Sequence, residues 1–385
     1  MRKDWEYKKL GEVCETSSGG TPSKTYTEYY ENGTIPWLRS GEVSQGYIYD
    51  AEIYISELGL NKSSAKIFPK GTVLIAMYGA TVGEVGILCN PMCTNQAICG
   101  VLPNDLYNSE FLRYVLLSHK DKYLSLAIGG AQPNISQQII KNTLIPLIDK
   151  STQLSIVAEL DKINELIQLK KQQLKDYDQL AQSIFYEMFG DPVENEKGWE
   201  VKKLREIALE KMSYGSGASA VPYNQKIRYI RITDIDELGC LKKDIVSPNI
   251  CEDKYLLSDG DILFARSGAT VGKTFLFKST YGSCIYAGYL IRLRPNTQIV
   301  IPEYVYHYTK THYYRSFIES NQRVVAQPNI NAQQYSSLKL PLPPLPLQQQ
   351  FAARIEAIER QKQQVSETIK DLETLLASRM QYWFD

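Results

Sequence analysis

The sequence predicts an α+β fold: two similar α/β domains separated by two long antiparallel coiled-coil helices, with internal pseudo-two-fold symmetry. Three observations carry this. Short motifs recur in the same order in both halves of the chain. Each copy opens on Gly-, Pro- and Tyr-rich sequence with short β-branched runs, and each closes on heptad-spaced apolar side chains.

The repeats come first. "WEYKKLGEV" at 5–13 returns as "WEVKKLREI" at 199–207, an offset of 194. "IPWLRSGEV" at 35–43 matches "IRYIRITDI" at 227–235, offset 192, and keeps Arg39 against Arg231. Gly79–Gly83 and Gly268–Gly272 both read GATVG, and "AQPNIS" at 131–136 returns as "AQPNIN" at 326–331. Small changes of offset mean short insertions in loops between retained elements. The chain is a tandem duplication, with a first domain at 1–150, a central spacer helix at 151–190, a second domain at 191–345 and a C-terminal helix at 346–385.

Within each domain, "GTVLIAMYG" at 71–79, "GDILFARSG" at 260–268 and "YAGYLIRLRP" at 286–295 are apolar runs bounded by turn residues, and they predict strands. Helical patches are expected over Ser109–Tyr123 and its counterpart Glu303–Ser320. A small mixed or antiparallel sheet with helices beside it follows.

The spacer helices show a seam stepping by fours and threes. The first runs through Ile156, Leu160, Ile163, Ile167, Lys170, Leu174, Tyr177, Ala181, Ile184 and Met188. The second runs through Phe351, Ile355, Ile358, Lys362, Val365, Ile369, Leu372, Leu376, Arg379 and Trp383. Polar residues break the seam once in the first helix and twice in the second. Each helix needs an apolar partner, and the other is the nearest long one. Antiparallel pairing brings the C-terminus back to the first domain, a dumbbell with a domain at each end of a rod.

Composition narrows the function. The chain has 385 residues, 43 basic and 43 acidic, so no global field points to a polyanion or a membrane. Residues 1–150 hold 14 Lys/Arg and 15 Asp/Glu, a balance of −1; residues 196–345 hold 20 and 14, a balance of +6. Seven cysteines without a C-x-x-C pair argue against a disulfide framework or a zinc ribbon. Cys89, Cys93 and Cys99 read as buried reduced thiols. Three histidines leave little material for a metal site or a catalytic triad. With no signal peptide and no membrane-length apolar run, a cytoplasmic protein is expected.

"RSGATVGKT" at 266–274 looks like a phosphate-binding loop but has three residues, not four, between Gly268 and Gly272–Lys273–Thr274. The other copy puts Glu84 where Lys273 stands, and a carboxylate repels phosphate. Other catalytic signatures are missing as well. There is no Asn-Pro-Pro-aromatic tetrad, and Asn90–Pro91–Met92 reads as a turn. No Gly-x-Gly cofactor loop follows a strand, and "PNICEDK" at 248–254 lacks a carboxylate that a nuclease cluster needs. A binding module without catalytic residues, metal or cofactor is expected. Two related heads at a fixed separation suit two unlike sites along one polymer, and DNA offers half-sites spaced by helical turns.

The order of motifs resembles the specificity subunit of Type I restriction–modification systems. The resemblance covers essentially the whole chain. It rests on the Trp-Glu-x-Lys-Lys-Leu openings, "SGGTPS" at 18–23, the GATVG loops, the Gln-Pro-Asn-Ile motifs at 132–135 and 327–330, and the Pro-rich stretch "LPLPPLPLQQQ" at 340–350. It implies two target-recognition domains, each reading half of a split double-stranded DNA sequence, with the paired helices setting the gap. It also implies a non-catalytic adaptor for two copies of a DNA adenine methyltransferase subunit and, for cleavage, ATP-dependent restriction subunits. S-adenosylmethionine, and ATP with Mg, would belong to those partners. One departure stands out: Gly20–Thr21–Pro22 has no clear counterpart, "SYGSGASAVP" at 213–222 replacing it.

Candidate DNA contacts are drawn from loop residues able to reach phosphates or base edges. In the first domain they are Thr21, Lys24, Arg39, Ser40, Tyr78 and Thr81. In the second they are Tyr214, Arg231, Thr233, Arg266, Ser267, Thr270 and Lys273. Arg39 and Arg231 could equally form structural salt bridges. Tyr78 and Arg266 are read as variable positions just before the shared loop. Gln132, Asn134, Gln327 and Asn329 recur in both copies, so they are expected to hold the domain–helix junction or a methyltransferase subunit. A protein- or glycan-binding scaffold with a coiled-coil oligomerisation rod is the rival reading.

Overall fold

The computed structural model describes residues 2, 4–129, 133–236, 239–322 and 329–384. They form two compact units, Met1–Lys170 with Thr368–Asp385, and Lys171–Glu367.

The Trp-Glu-x-Lys-Lys-Leu motif has a structural reason. In unit 1, Glu6–Lys9 pairs antiparallel with Leu144–Leu147, Tyr7 opposite Pro146. Leu10 then plugs the core in a single helical turn, and Glu12 accepts the Lys9 backbone N–H at 3.3 Å. Unit 2 repeats each step. Glu200–Lys203 pairs with Lys339–Leu342, Leu204 is buried, and Glu206 accepts the Lys203 N–H at 2.6 Å. The entry strand of each copy is thus laddered to the strand that leads into its long helix.

Unit 1 has a five-stranded sheet in the order Thr16–Ser18, Ile98–Val101, Val73–Ala76, Val85–Leu88, Tyr47–Ile48. Its central strand is buried throughout, at Val73, Leu74, Ile75 and Ala76. A second sheet orders Tyr54–Ile55, Ile35–Leu38, Met92–Thr94 and Ile67–Phe68, with Ile35–Leu38 and Met92–Thr94 parallel. Unit 2 keeps the first sheet as Ser213–Tyr214, Leu290–Leu293, Ile262–Ala265, Thr274–Leu276. Among the described residues its second layer is reduced to two pairs, one of them the parallel pair Arg228–Ile230 with Cys284–Tyr286.

The expected helical patches each break in two: Ser109–Ser118 then Lys120–Leu126, and Pro302–Tyr308 then His312–Gln322. In unit 2 the hydroxyls of Thr309 and Thr311 donate to the carbonyls of Tyr306 and Tyr308 at 2.7 and 2.8 Å. Such local bonds compete with the helix ladder and end it. Of the three cysteines read as buried, Cys93 and Cys99 are, and burial pushes their thiols up to about 11 and about 12. Cys89 is only half-buried, because it sits past the end of Val85–Leu88.

The long helices span Lys150–Phe189 and Leu345–Phe384, 40 residues each. At 1.5 Å per residue each is about 60 Å long. They contact each other antiparallel. In unit 1, Glu159 near the start of the first meets Arg379 near the end of the second, with Nη2 donating to Oε2 at 3.1 Å. In unit 2, Phe185 and Phe189 near the end of the first stack edge-on against Phe351 near the start of the second. The two polar breaks in the second seam become ion pairs across the helices, Arg379 with Glu159 and Lys362 with Asp178 at 2.8 Å. Two register shifts separate seam from structure: Phe185, not Ile184, and Phe384, not Trp383, are the buried residues.

Candidate nucleic-acid interface

The shared GATVG loop joins two antiparallel strands in each unit, where a phosphate-binding loop would lead from strand to helix. Gly79 and Gly268 stand at φ 74° and 68°, a region only glycine enters cheaply, and each starts a 3₁₀ turn. Thr81 Oγ1 donates to the Tyr78 carbonyl at 3.2 Å and Thr270 Oγ1 to the Ser267 carbonyl at 3.0 Å, so both hydroxyl protons close their own turns. Glu84 pairs with Lys120 at 2.5 Å, so its carboxylate is neutralised within unit 1. Lys273, its counterpart, is half-buried.

Register corrects the alignment of the loop's neighbours. The Ile135 N–H binds the Met77 carbonyl and the Ile330 N–H binds the Arg266 carbonyl, both at 2.9 Å. Met77 therefore corresponds to Arg266, and Tyr78 to Ser267. Met77 is buried; Arg266 reaches the surface.

Asn134 and Asn329 form β-bridges to Tyr78 and Ser267. They lie beside the GATVG loop and not at the helix junction, the first of the two roles expected of them. Gln132 and Gln327 lie outside the described residues. The junction is held by residues that sequence reasoning missed. Gln153 and Gln348, on the first turns of the long helices, are both fully buried. Gln153 accepts the Asn108 N–H at 2.8 Å and donates to the carbonyls of Leu106 and Ile148 at 2.9 Å. Gln348 accepts the Ile301 N–H at 2.8 Å and donates to the Pro343 carbonyl at 2.7 Å. Their recurrence 195 positions apart, 153 against 348, was the available signal.

In unit 2 the structure gathers three of the candidate residues. The Arg266 guanidinium lies 4.8 Å from the Tyr214 ring centroid, and its Nε donates to Asn329 Oδ1 at 3.3 Å. Tyr214 is held in turn, its hydroxyl accepting the Ala332 N–H at 3.1 Å. Stacking and one hydrogen bond orient the guanidinium; among the described residues its two terminal nitrogens have no hydrogen-bond partner, and they form the fork that fits guanine O6 and N7.

In unit 1 the gathering point is different. Thr21, Lys24 and Arg39 border one cleft of about 550 Å³ with Asn95 and Gln96, floored by Tyr30, Trp37 and Ile53. Trp37 Nε1 donates to the Gly20 carbonyl at 2.9 Å, and in unit 2 the Tyr229 hydroxyl donates to the Ser216 carbonyl at 2.9 Å. Of Gly20–Thr21–Pro22, read as lacking a counterpart, Gly20 thus has one in Ser216, and Gly19 before it corresponds to Gly215. A Cβ at Gly19 would meet the Thr94 carbonyl oxygen at 2.2 Å, and one at Gly215 the Tyr286 oxygen at 2.3 Å. Sequence comparison missed this because an insertion and recoloured neighbours hide a constraint made by backbone contact.

Arg39 and Arg231 share a second structural role. Each backbone N–H binds a buried carboxylate three residues on, Glu42 and Asp234, at 2.8 Å. The Arg231 side chain folds onto Asp234 at 2.7 Å, whereas Arg39 pairs with Glu42 and with the exposed Glu52 while lining the cleft. Ser40 and Thr233 sit in the short turns that follow, Thr233 exposed and Ser40 half-buried.

Among the described residues, no helix is long and apolar enough to cross a membrane. A family model described as the Type I restriction modification DNA specificity domain matches residues 2–176 and again 196–374. The MjaIX Type I specificity subunit of Methanocaldococcus jannaschii is 31% identical over 295 residues, 70% of this chain and 67% of that one. The EcoR124I/EcoR124II specificity subunit of Escherichia coli is 29% identical over 166 residues, 42% of this chain and 41% of that relative's length. A solved chain from work on assembly of a type I R–M system shares the fold over 100% of this chain and 98% of its own, with TM-score 0.61 and 20% identity. Duplicated scaffold, paired helices and both family matches agree: the chain belongs to the Type I restriction–modification DNA specificity family and carries its domain twice.

Proposed function

We propose that this chain is the non-catalytic specificity subunit of a Type I restriction–modification complex, each unit reading one half of a bipartite double-stranded DNA target. The carrying observation is one scaffold presenting unlike side chains at matched positions. Arg266 and Tyr214 stand in unit 2 where Met77 and Ser18 stand in unit 1. A shared frame with unlike tips suits two different half-sites. The paired helices set the unspecified gap and dock two copies of a DNA adenine methyltransferase subunit; restriction subunits join for cleavage.

The chain works in the cytoplasm and takes no cofactor itself. S-adenosylmethionine serves the methyltransferase, and ATP with Mg the restriction subunits. Co-expression with the partner methyltransferase, followed by single-molecule methylation mapping, tests the reading. A split motif with two unlike halves is expected. Methylation with no sequence preference, or no association with a methyltransferase, contradicts it.

A further inference from the structure

We propose that Gln96 is an adenine-reading side chain of unit 1, and that unit 2 has no equivalent of it. The inference rests on the DNA-recognition role proposed above and adds a residue and a base to it.

The parallel strand pairs fix the comparison. Trp37 lies opposite Cys93 in unit 1, and Tyr229 opposite Ile285 in unit 2. Counting on from those strands, Asn95 and Gln96 correspond to Ala287 and Gly288. The turn after the strand thus carries two amides in one unit and none in the other. Backbone bonds agree, since the Met77 N–H binds the Ala97 carbonyl at 2.8 Å and the Arg266 N–H binds the Tyr289 carbonyl at 3.1 Å.

The two amides do different work. Asn95 Oδ1 accepts the Ala97 N–H at 3.2 Å, so it braces its own turn. Gln96 is exposed at the cleft mouth, and its Oε1 accepts a hydrogen bond from the Thr21 hydroxyl. That bond orients the amide plane. Nε2 remains to donate, and the second lone pair of Oε1 remains to accept. Adenine presents the complementary pair in the major groove, an N7 acceptor beside an N6 donor. Lys24, exposed on the same rim, supplies a cation for the adjoining phosphate, and Trp37 and Ile53 keep the cleft wall apolar. Thr21 is then a positioning residue.

The test uses the full chain assembled with its methyltransferase partner, mapped by methylation sequencing. Gln96→Ala is expected to relax one A·T position in one half-site by roughly 5- to 100-fold in discrimination, with the other half unchanged. Gln96→Glu, which can only accept, is expected to shift that position toward C·G. Thr21→Val is expected to weaken the same position alone. If Gln96→Ala abolishes methylation, binding of the same complex to duplexes with each base pair replaced in turn gives the decision: lost discrimination at one A·T pair supports the role. A wild-type motif from Gln96→Ala, or a change at a non-adenine position, overturns it. A wild-type complex that reads no split motif overturns the proposed function, and this inference with it.

Discussion

Gln153 Oε1 accepts the backbone N–H of Asn108 at 2.8 Å, inside the first turn of the long helix that leaves unit 1. Asn108 is also the N-cap of Ser109–Ser118, so one buried amide ties the domain's helix to the spacer helix. Gln348 does the same for Ile301, which caps Pro302–Tyr308. Truncating either side chain leaves a buried N–H and carbonyls without partners. Gln153→Ala and Gln348→Ala should each cost about 2–4 kcal/mol in stability. Thermal or urea denaturation measures this, and an unchanged midpoint would show that the amides are incidental.

Arg266 offers a separate handle on specificity. Arg266→Ala should relax a guanine position in the half-site read by unit 2 by roughly 5- to 100-fold while leaving the other half intact. Arg266→Lys should restore little, because an ammonium lacks the planar fork and the stacking on Tyr214. Methylation mapping of the assembled complex reads both. Recovery of full specificity by Lys would point to a phosphate contact instead.

His307 predicts a pH dependence. Burial, with Lys310 and Lys362 nearby, pushes its imidazole down to about 3, and its ring lies edge-on to Phe351 at 5.3 Å. The unfolded chain takes up a proton near the usual histidine pKa while the native state stays neutral. Native stability is therefore full above about pH 6.5 and falls as pH drops toward the folded value. Between pH 7 and 5 the loss should be about 1–2 kcal/mol. His307→Phe should flatten that slope in pH-dependent unfolding; an equal slope in the variant assigns the effect elsewhere.

The helices predict a ruler. Deleting one heptad from each of Lys150–Phe189 and Leu345–Phe384, in register, shortens the pair by roughly 10 Å, about three base-pair steps. The unspecified gap in the methylated motif should shrink by that amount with both half-sites kept. An unaltered gap removes the helices from the measuring role.

Phosphate contacts dominate protein–DNA affinity, and this chain has no net charge to spend on them. The isolated subunit should bind its target weakly at physiological salt, and tightly once partners add cationic surface. Titration of labelled duplex with chain alone and with complex compares the two. Nanomolar, sequence-specific binding by the chain alone would falsify this.

Duplication, strand-rich heads and long heptad helices were legible in the sequence, because each is written in local period and repetition. Buried seam positions such as Ile156, Leu160, Ile355 and Ile358 follow directly from spacing by fours and threes. Even the polar breaks at Lys362 and Arg379 were visible, though not their partners Asp178 and Glu159, which approach only when the helices pair. Tertiary structure alone decided the rest. It set Arg266 against Met77 through strand register, a property that a one-residue slip inverts and that letters cannot fix. It moved Asn134 and Asn329 from the helix junction to the loop, and gave the junction to Gln153 and Gln348. It also gathered Thr21, Lys24, Arg39 and Gln96 around one cleft from segments up to 75 residues apart. Sequence records which side chains a segment offers; the chain's path through space decides which of them meet.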